Sequence, residues 1–140
     1  MDLTASARKG LVSGLRVLWE LAKVIIPAVM VVHVLDKTGA LLVLSQWLGP
    51  VMGIFGLPGE SALVLVTANF VSFYAGLATI VALALPFKET TILAAMMMIN
   101  HAAISETALV TRAGARGSWV LAMRTVAMVL VGLILNWTMP

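Results

Sequence analysis

Apolar residues run along this chain in long blocks divided by short polar punctuation, and each block reads as helix. At 100° per residue, Lys9, Arg16, Glu20 and Lys23 fall on one narrow stripe, with Leu11, Leu15, Leu18 and Leu21 away from it. Residues 4–35 therefore predict one helical region of two characters. Its first half is amphipathic and suited to lie on a bilayer surface. Its second half, Val24 to Leu35, is apolar and is predicted to kink at Pro27. A span needs about 20 apolar residues. This apolar run is shorter, so it must borrow from residues 13–23, shelter their charges against protein, or stay partial.

Asp36-Lys37-Thr38-Gly39 predicts a turn, and Ala40 to Leu48 begins another helix. Gly49, Pro50, Gly53, Gly56, Pro58 and Gly59 then crowd one stretch, so residues 49–59 are expected to be non-helical. Backbone freed from helical bonding cannot face lipid, so this stretch should be shielded by protein or line a wet cavity. Ser61 to Leu83 contains no charged residue and predicts a transmembrane helix. Lys88 and Glu89 precede a further span, Thr90 to Val110, which carries Asn100, His101 and Glu106. A short basic loop, Arg112 to Gly117, leads to the last span, Ser118 to Trp137. Trp119 and Trp137 stand about 27 Å apart on a helix, one for each interface. If residues 40–57 cross the bilayer, the N-terminal basic cluster shares the cytoplasmic side with Arg112 and Arg116. Lys37 and Lys88 then lie outside, which satisfies the positive-inside rule. If residues 40–57 are re-entrant, the bias nearly disappears. The expected fold is thus an all-α integral membrane protein with four to five membrane segments. It would have a Gly/Pro-broken helix or re-entrant hairpin and an amphipathic N-terminal helix.

Composition excludes a soluble monomer. The chain of 140 residues is 61% hydrophobic and 11% charged, against about 25% charged in soluble domains. The net charge of +3 does not point to nucleic acid, because the basic residues flank apolar runs and set orientation instead. No cysteine is present, which removes disulfides, thiolate nucleophiles and Cys-based metal sites. Arg8 and Lys9 before an apolar run resemble a signal peptide. Glu20 and Lys23 interrupt that run, however, and no Ala-x-Ala site follows Val34, so no processing is expected.

Glu60 opens a helix after the Gly/Pro stretch. It reads either as a first-turn acid on the helix dipole or as a carboxylate that binds a cation or proton at a broken-helix tip. On a helix, Asn69, Ser72, Gly76 and Thr79 project within about 80° of one another, with Ser61 lower down. Such stripes let membrane helices pack closely, although the amide of Asn69 needs partners at both ends. Asn100, His101, Ser105 and Glu106 form the densest polar group. His101 and Glu106 lie about 140° apart on a continuous helix. Either they face different neighbours, or the helix unwinds near residues 102–105 and Ser105 caps a second half. Ionisable residues inside spans are functional candidates. Arg124 can snorkel to the interface or pair with Glu106 or Glu60. Met96, Met97 and Met98 read as adaptable packing. No zinc, phosphate-loop or hydrolase-elbow pattern is present, and neither a metal nor a cofactor is expected. One internal echo, Glu60-Ser-Ala-Leu-Val64 and Glu106-Thr-Ala-Leu-Val110, is explained by composition or by a repeat.

Gly56-Leu-Pro-Gly-Glu60, Asn69-Phe-Val-Ser-Phe-Tyr-Ala-Gly76 and Asn100-His-Ala-Ala-Ile-Ser-Glu-Thr107 together resemble the nucleoside-recognition, or Gate, domain family. That family includes bacterial membrane proteins related to spore maturation proteins A and B. Related segments occur in ferrous-iron transporter B and concentrative nucleoside transporters. The resemblance covers roughly residues 20–137 and implies a single Gate-type transmembrane domain over residues 1–140, in a bacterial cytoplasmic membrane. It further implies a transporter-like core with Glu60, Asn69, Asn100, His101 and Glu106 near the binding region. The chain shows one Gate unit and no GTPase domain, which leaves nucleoside binding open. The expected function is a transporter-like subunit whose pathway for a small solute or cation is completed by oligomerising, as a homo-oligomer or with a second Gate protein. The alternative is a non-transporting assembly or scaffold subunit. An enzyme is not expected, because no nucleophile stands with His101 and Glu106.

Overall fold

The computed structural model describes residues 3–140, with side chains from residue 6 onward. The protein is all-helical, with no strand among the described residues. The order is α1 (Leu3–Lys37), α2 (Ala40–Gly53), a single 3-10 turn (Gly59–Ser61), α3 (Ala62–Phe70), α4 (Phe73–Leu83), α5 (Phe87–Ile99), α6 (Ala103–Arg112) and α7 (Gly117–Thr138). Three stretches are long and apolar enough to cross a membrane: Ser6–Lys37, Phe87–Arg112 and Gly117–Thr138. The turn expected over Asp36 to Gly39 narrows to Thr38 and Gly39, because α1 runs on to Lys37, and Gly39 adopts φ 74°.

Three expectations need correction. Residues 49–59 are not wholly non-helical, because α2 continues through Gly49 and Pro50 to Gly53. A proline removes only one donor from a helical ladder, and apolar membrane helices tolerate that loss. The break falls later, where the N–H groups of Phe55 and Leu57 both donate to the carbonyl of Met52 and Gly56 adopts φ 67°. Phe55 and Leu57 are buried there, while Ile54 stays exposed.

The second correction concerns residues 61–83, which form not one helix but a hairpin of α3 and α4. Val71 and Ser72 both donate their N–H groups to the Thr67 carbonyl, which closes α3. Ser72 is extended at φ −171°, and its hydroxyl accepts the N–H of Ala75 at the start of α4. A serine N-cap of this kind competes well with helix continuation. The limbs then pack closely: a Cβ on Gly76 would stand 2.7 Å from that of Ala68, and the hydroxyls of Thr67 and Thr79 meet at 3.1 Å. The predicted polar stripe is therefore split. Ser61 and Asn69 lie on the first limb, Gly76 and Thr79 on the second, and Ser72 at the tip. At about 1.5 Å per residue, limbs of 9 and 11 residues are too short to cross about 30 Å of hydrocarbon.

Third, the span expected over residues 90–110 is interrupted. It unwinds at Asn100 to Ala102, slightly earlier than the alternative over 102–105, and Ala102 takes the left-handed conformation at φ 48°. Ser105 is not the cap; its hydroxyl donates to the Ala102 carbonyl at 3.1 Å and is exposed.

The core joins Met52, Phe55 and Leu57 to Val64 and Ala68 of α3, Ile80 of α4, and Ile92, Leu93, Met96 and Met97 of α5. Two of the three consecutive methionines fill this core, and Met98 points outward. Helix α7 runs antiparallel along both α5 and α6. Lys88 donates to the Met139 carbonyl at one end, Gly132 packs on Met96 midway, and Gly117 abuts Thr107 and Thr111 at the other. The hairpin base lies at the first end, where Asp36 and Glu60 line one cleft. Its tip points towards the second, where Lys23 of α1 and Val71 border one groove. Beyond Lys23, residues 6–20 of α1 are exposed throughout.

Candidate functional site

Two helix breaks meet near the hairpin tip. The N–H of Ala102, in the unwound segment, donates to the carbonyl of Ala68 in the last turn of α3 at 3.1 Å. The ends of α3 and α5 and the starts of α4 and α6 therefore converge. Both polarities of the helix dipole point into one place.

The side chains there come from the predicted polar groups. Asn69 donates its amide to the Leu65 carbonyl at 2.8 Å. Asn100 is 6% exposed and donates to the hydroxyl of Thr125 at 3.4 Å. That hydroxyl spends its own proton on the Leu121 carbonyl, so only the amide nitrogen of Asn100 can serve as donor. A carbonyl likewise orients Asn69. In consequence both amide oxygens, Asn69 Oδ1 and Asn100 Oδ1, are buried without a partner. The ring of His101 packs edge-on against Phe73 at 5.2 Å, and its Nε2 stands 3.4 Å from Glu106 Oε1. Nδ1 too is buried and unpartnered.

Glu106 is paired on its other oxygen with Arg124 of α7. Arg124 also donates Nε to the Ile99 carbonyl at 2.9 Å and reaches the His101 carbonyl at 3.5 Å. One guanidinium thus binds the unwound backbone and the acid beyond it, which suits its planar fork of donors. The break resolves the 140° separation of His101 and Glu106, since neither now follows the helical phase of the other. The snorkelling reading of Arg124 gives way to its alternative, an ion pair with Glu106.

Not every expected residue is gathered here. Glu60 sits at the hairpin base, where the Ser45 hydroxyl donates to its Oε2 at 2.6 Å. With Asp36 and Ser45 it lines a separate cleft of about 460 Å³. Ser105 faces outward. Of the packing stripe, Gly76 and Thr79 are buried between the limbs, and Ser61 is buried with an unpartnered hydroxyl. Sequence reasoning missed Phe73 and Thr125. Arg124, a lone cation inside an apolar span, was the signal that could have located the site.

Residues 18–119 match the family described as Gate, nucleoside recognition. The chain belongs to this family. It is also 38% identical over 127 residues to the uncharacterized membrane protein YvoD of Bacillus subtilis (strain 168). That alignment covers 91% of this chain but only 41% of the Bacillus protein. No solved structure matches.

Proposed function

We propose that this Gate protein is a transporter-like subunit of a bacterial cytoplasmic membrane, with no enzymatic role. In this reading it holds a small solute or cation where the hairpin tip meets the unwound segment. The observation that carries this is the set of three buried, unpartnered polar atoms, the acceptors Asn69 Oδ1 and Asn100 Oδ1 and the ring nitrogen His101 Nδ1, at the junction tied by Ala102 and Ala68. Buried acceptors are stabilised by a donor or a positive charge. A solute rich in N–H and O–H groups, such as the nucleosides in the family's description, supplies the first. A monovalent cation supplies the second. Broken helices that meet inside the bilayer are how many secondary transporters build such sites.

In the bilayer, the hairpin re-enters from the Lys37 and Lys88 side, and α1, the α5–α6 pair and α7 cross. The limbs reach only part of the way, so the space beyond the tip calls for a second unit, from another copy or a second Gate protein. A scaffold role is the competing reading; Gly76 and Thr79, which pack limb against limb, favour it for those two residues alone.

The test is uptake by the purified chain in liposomes, using a panel of nucleosides and monovalent and divalent cations, with and without Na⁺ or proton gradients. Uptake that Asn100→Ala abolishes while folding holds supports the site. Silence across the panel, with the protein folded and its oligomer intact, favours the scaffold.

A further inference from the structure

The groove between α1 and the hairpin is apolar along its length and closed by charge at one end only. It has a volume of about 290 Å³, and Val24 and Ala28 of α1 face Leu63, Thr67 and Val71 across it. Its direction is set by the fold. Asp36, near the end of α1, shares a cleft with Pro58 and Glu60 at the hairpin base. Val24 therefore lies level with the tip, and the groove runs from there towards the base. Lys23 stands at the tip end. From Lys23 outward, α1 continues the same face as Glu20, Arg16 and Lys9, three cations against one acid.

Depth agrees with this polarity. The tip is level with Arg124, which lies five residues, about 7.5 Å, inside Trp119. A lysine stem at that depth carries its ammonium towards the headgroups. The same end of the bundle carries Arg112 and Arg116.

We infer that this groove is a binding site for one anionic phospholipid, its acyl chain lying between α1 and the hairpin and its phosphate on Lys23 and Arg16. Lys23 is already paired with Glu20 at 2.7 Å. That pair is exposed and weak, and an ammonium with three donors can hold both anions. A neutral lipid could fill the apolar part equally well, so the charge decides which lipid is held. The occupied groove borders Val71, so the lipid also touches the hairpin tip. The inference shares with the proposed function only the placement of the helices in the bilayer, and it stands whether or not solute is transported.

The test uses the full chain in detergent micelles, with dioleoylphosphatidylglycerol or dioleoylphosphatidylcholine added, and native mass spectrometry to count retained lipids. One phosphatidylglycerol per chain is expected to be held in preference to phosphatidylcholine. A basic residue near an anionic headgroup contributes about 1 kcal/mol, so Lys23→Gln should reduce that preference about fivefold. Ala28→Phe should fill the groove and release either lipid with helical content unchanged. If that variant fails to fold, Lys23→Gln, on an exposed side chain, still decides. Equal retention of the two lipids by the unaltered protein overturns the proposal, as does a preference untouched by Lys23→Gln. A change of oligomeric mass on Ala28→Phe, with lipid retention unaltered, would assign the groove to a second copy and also overturn it.

Discussion

Replacing Arg124 by Met keeps an unbranched apolar stem and removes the guanidinium with every polar contact it makes. The Ile99 carbonyl loses a charged donor at 2.9 Å, and hydrogen bonds to charged groups contribute about 1.5–3 kcal/mol. Glu106 loses its cation; its side chain is 35% exposed. The pair therefore ranks between a surface pair, worth about 0–1 kcal/mol, and a buried one, whose breakage costs about 3–5 kcal/mol. A discounted value of about 1–2 kcal/mol is appropriate for a group this exposed. The sum predicts destabilisation of about 2.5–5 kcal/mol for Arg124→Met. Glu106→Gln leaves both carbonyl contacts in place and should cost about 1–2 kcal/mol. The double variant leaves no unpaired charge, so it should be less destabilised than the two singles added, by about 1–2 kcal/mol. Arg124→Lys restores the charge without the planar fork and should fall between wild type and Arg124→Met. Unfolding of the full chain in mixed micelles with rising SDS, followed by helical circular dichroism, measures all four. Additivity within about 0.5 kcal/mol would refute the clamp.

Other consequences are simpler. Ala102→Gly should be neutral or raise stability by up to about 1 kcal/mol, because it relieves a left-handed backbone; Ala102→Val should lower it, and thermal unfolding compares the two. Gly76→Ala brings a Cβ within 2.7 Å of Ala68 Cβ and should cost about 1–3 kcal/mol. Gly14→Ala, inside α1 with open space around it, should instead gain roughly 1 kcal/mol in the same measurement. Thr79→Val should lower stability by about 1 kcal/mol through loss of the bond to Thr67, with Thr67→Val/Thr79→Val no worse than additive.

How much of this was legible in the sequence follows from what hydropathy can register. Long apolar blocks identify the helical membrane architecture, and the polar cluster at Asn100 to Glu106 marks one half of the candidate site. The break at Val71 and Ser72 escaped, because apolar residues flank it on both sides and a serine reads equally well as a packing residue. Only its extended backbone and its bond to Ala75 reveal the cap. Pro50 misled in the opposite direction, since a proline predicts an ending that the surrounding apolar helix does not need. The resemblance groups Glu60 with the distant Glu106. Nothing in its spacing could show that the hairpin carries it to the far end from Glu106.

The fold groups the basic residues at the same ends as the reading in which residues 40–57 cross, and the reason is physical. On the sequence, residues 61–83 are expected to cross once, and residues 40–57 either to cross or to re-enter. In the fold α2 begins and ends near the hairpin base, where the Asn136 amide donates to the Ile54 carbonyl at 3.4 Å, and the hairpin turns back at Ser72. With the hairpin re-entering as proposed and α2 staying on the same side, two crossings are removed together and the parity of the chain is unchanged. The basic half of α1 and the Arg112–Arg116 loop remain at one end, and Lys37, Lys88 and Trp137 at the other. Positive-inside counting depends on parity alone, so it cannot tell a pair of crossings from a pair of elements that enter and withdraw. What separates them is length: a limb of 9 residues ended by a serine cap cannot cross. Lengthening that limb with apolar residues and removing the cap by Ser72→Leu should therefore convert the hairpin into a span. Arg112 and Arg116 would then have to change sides, which the charge bias opposes.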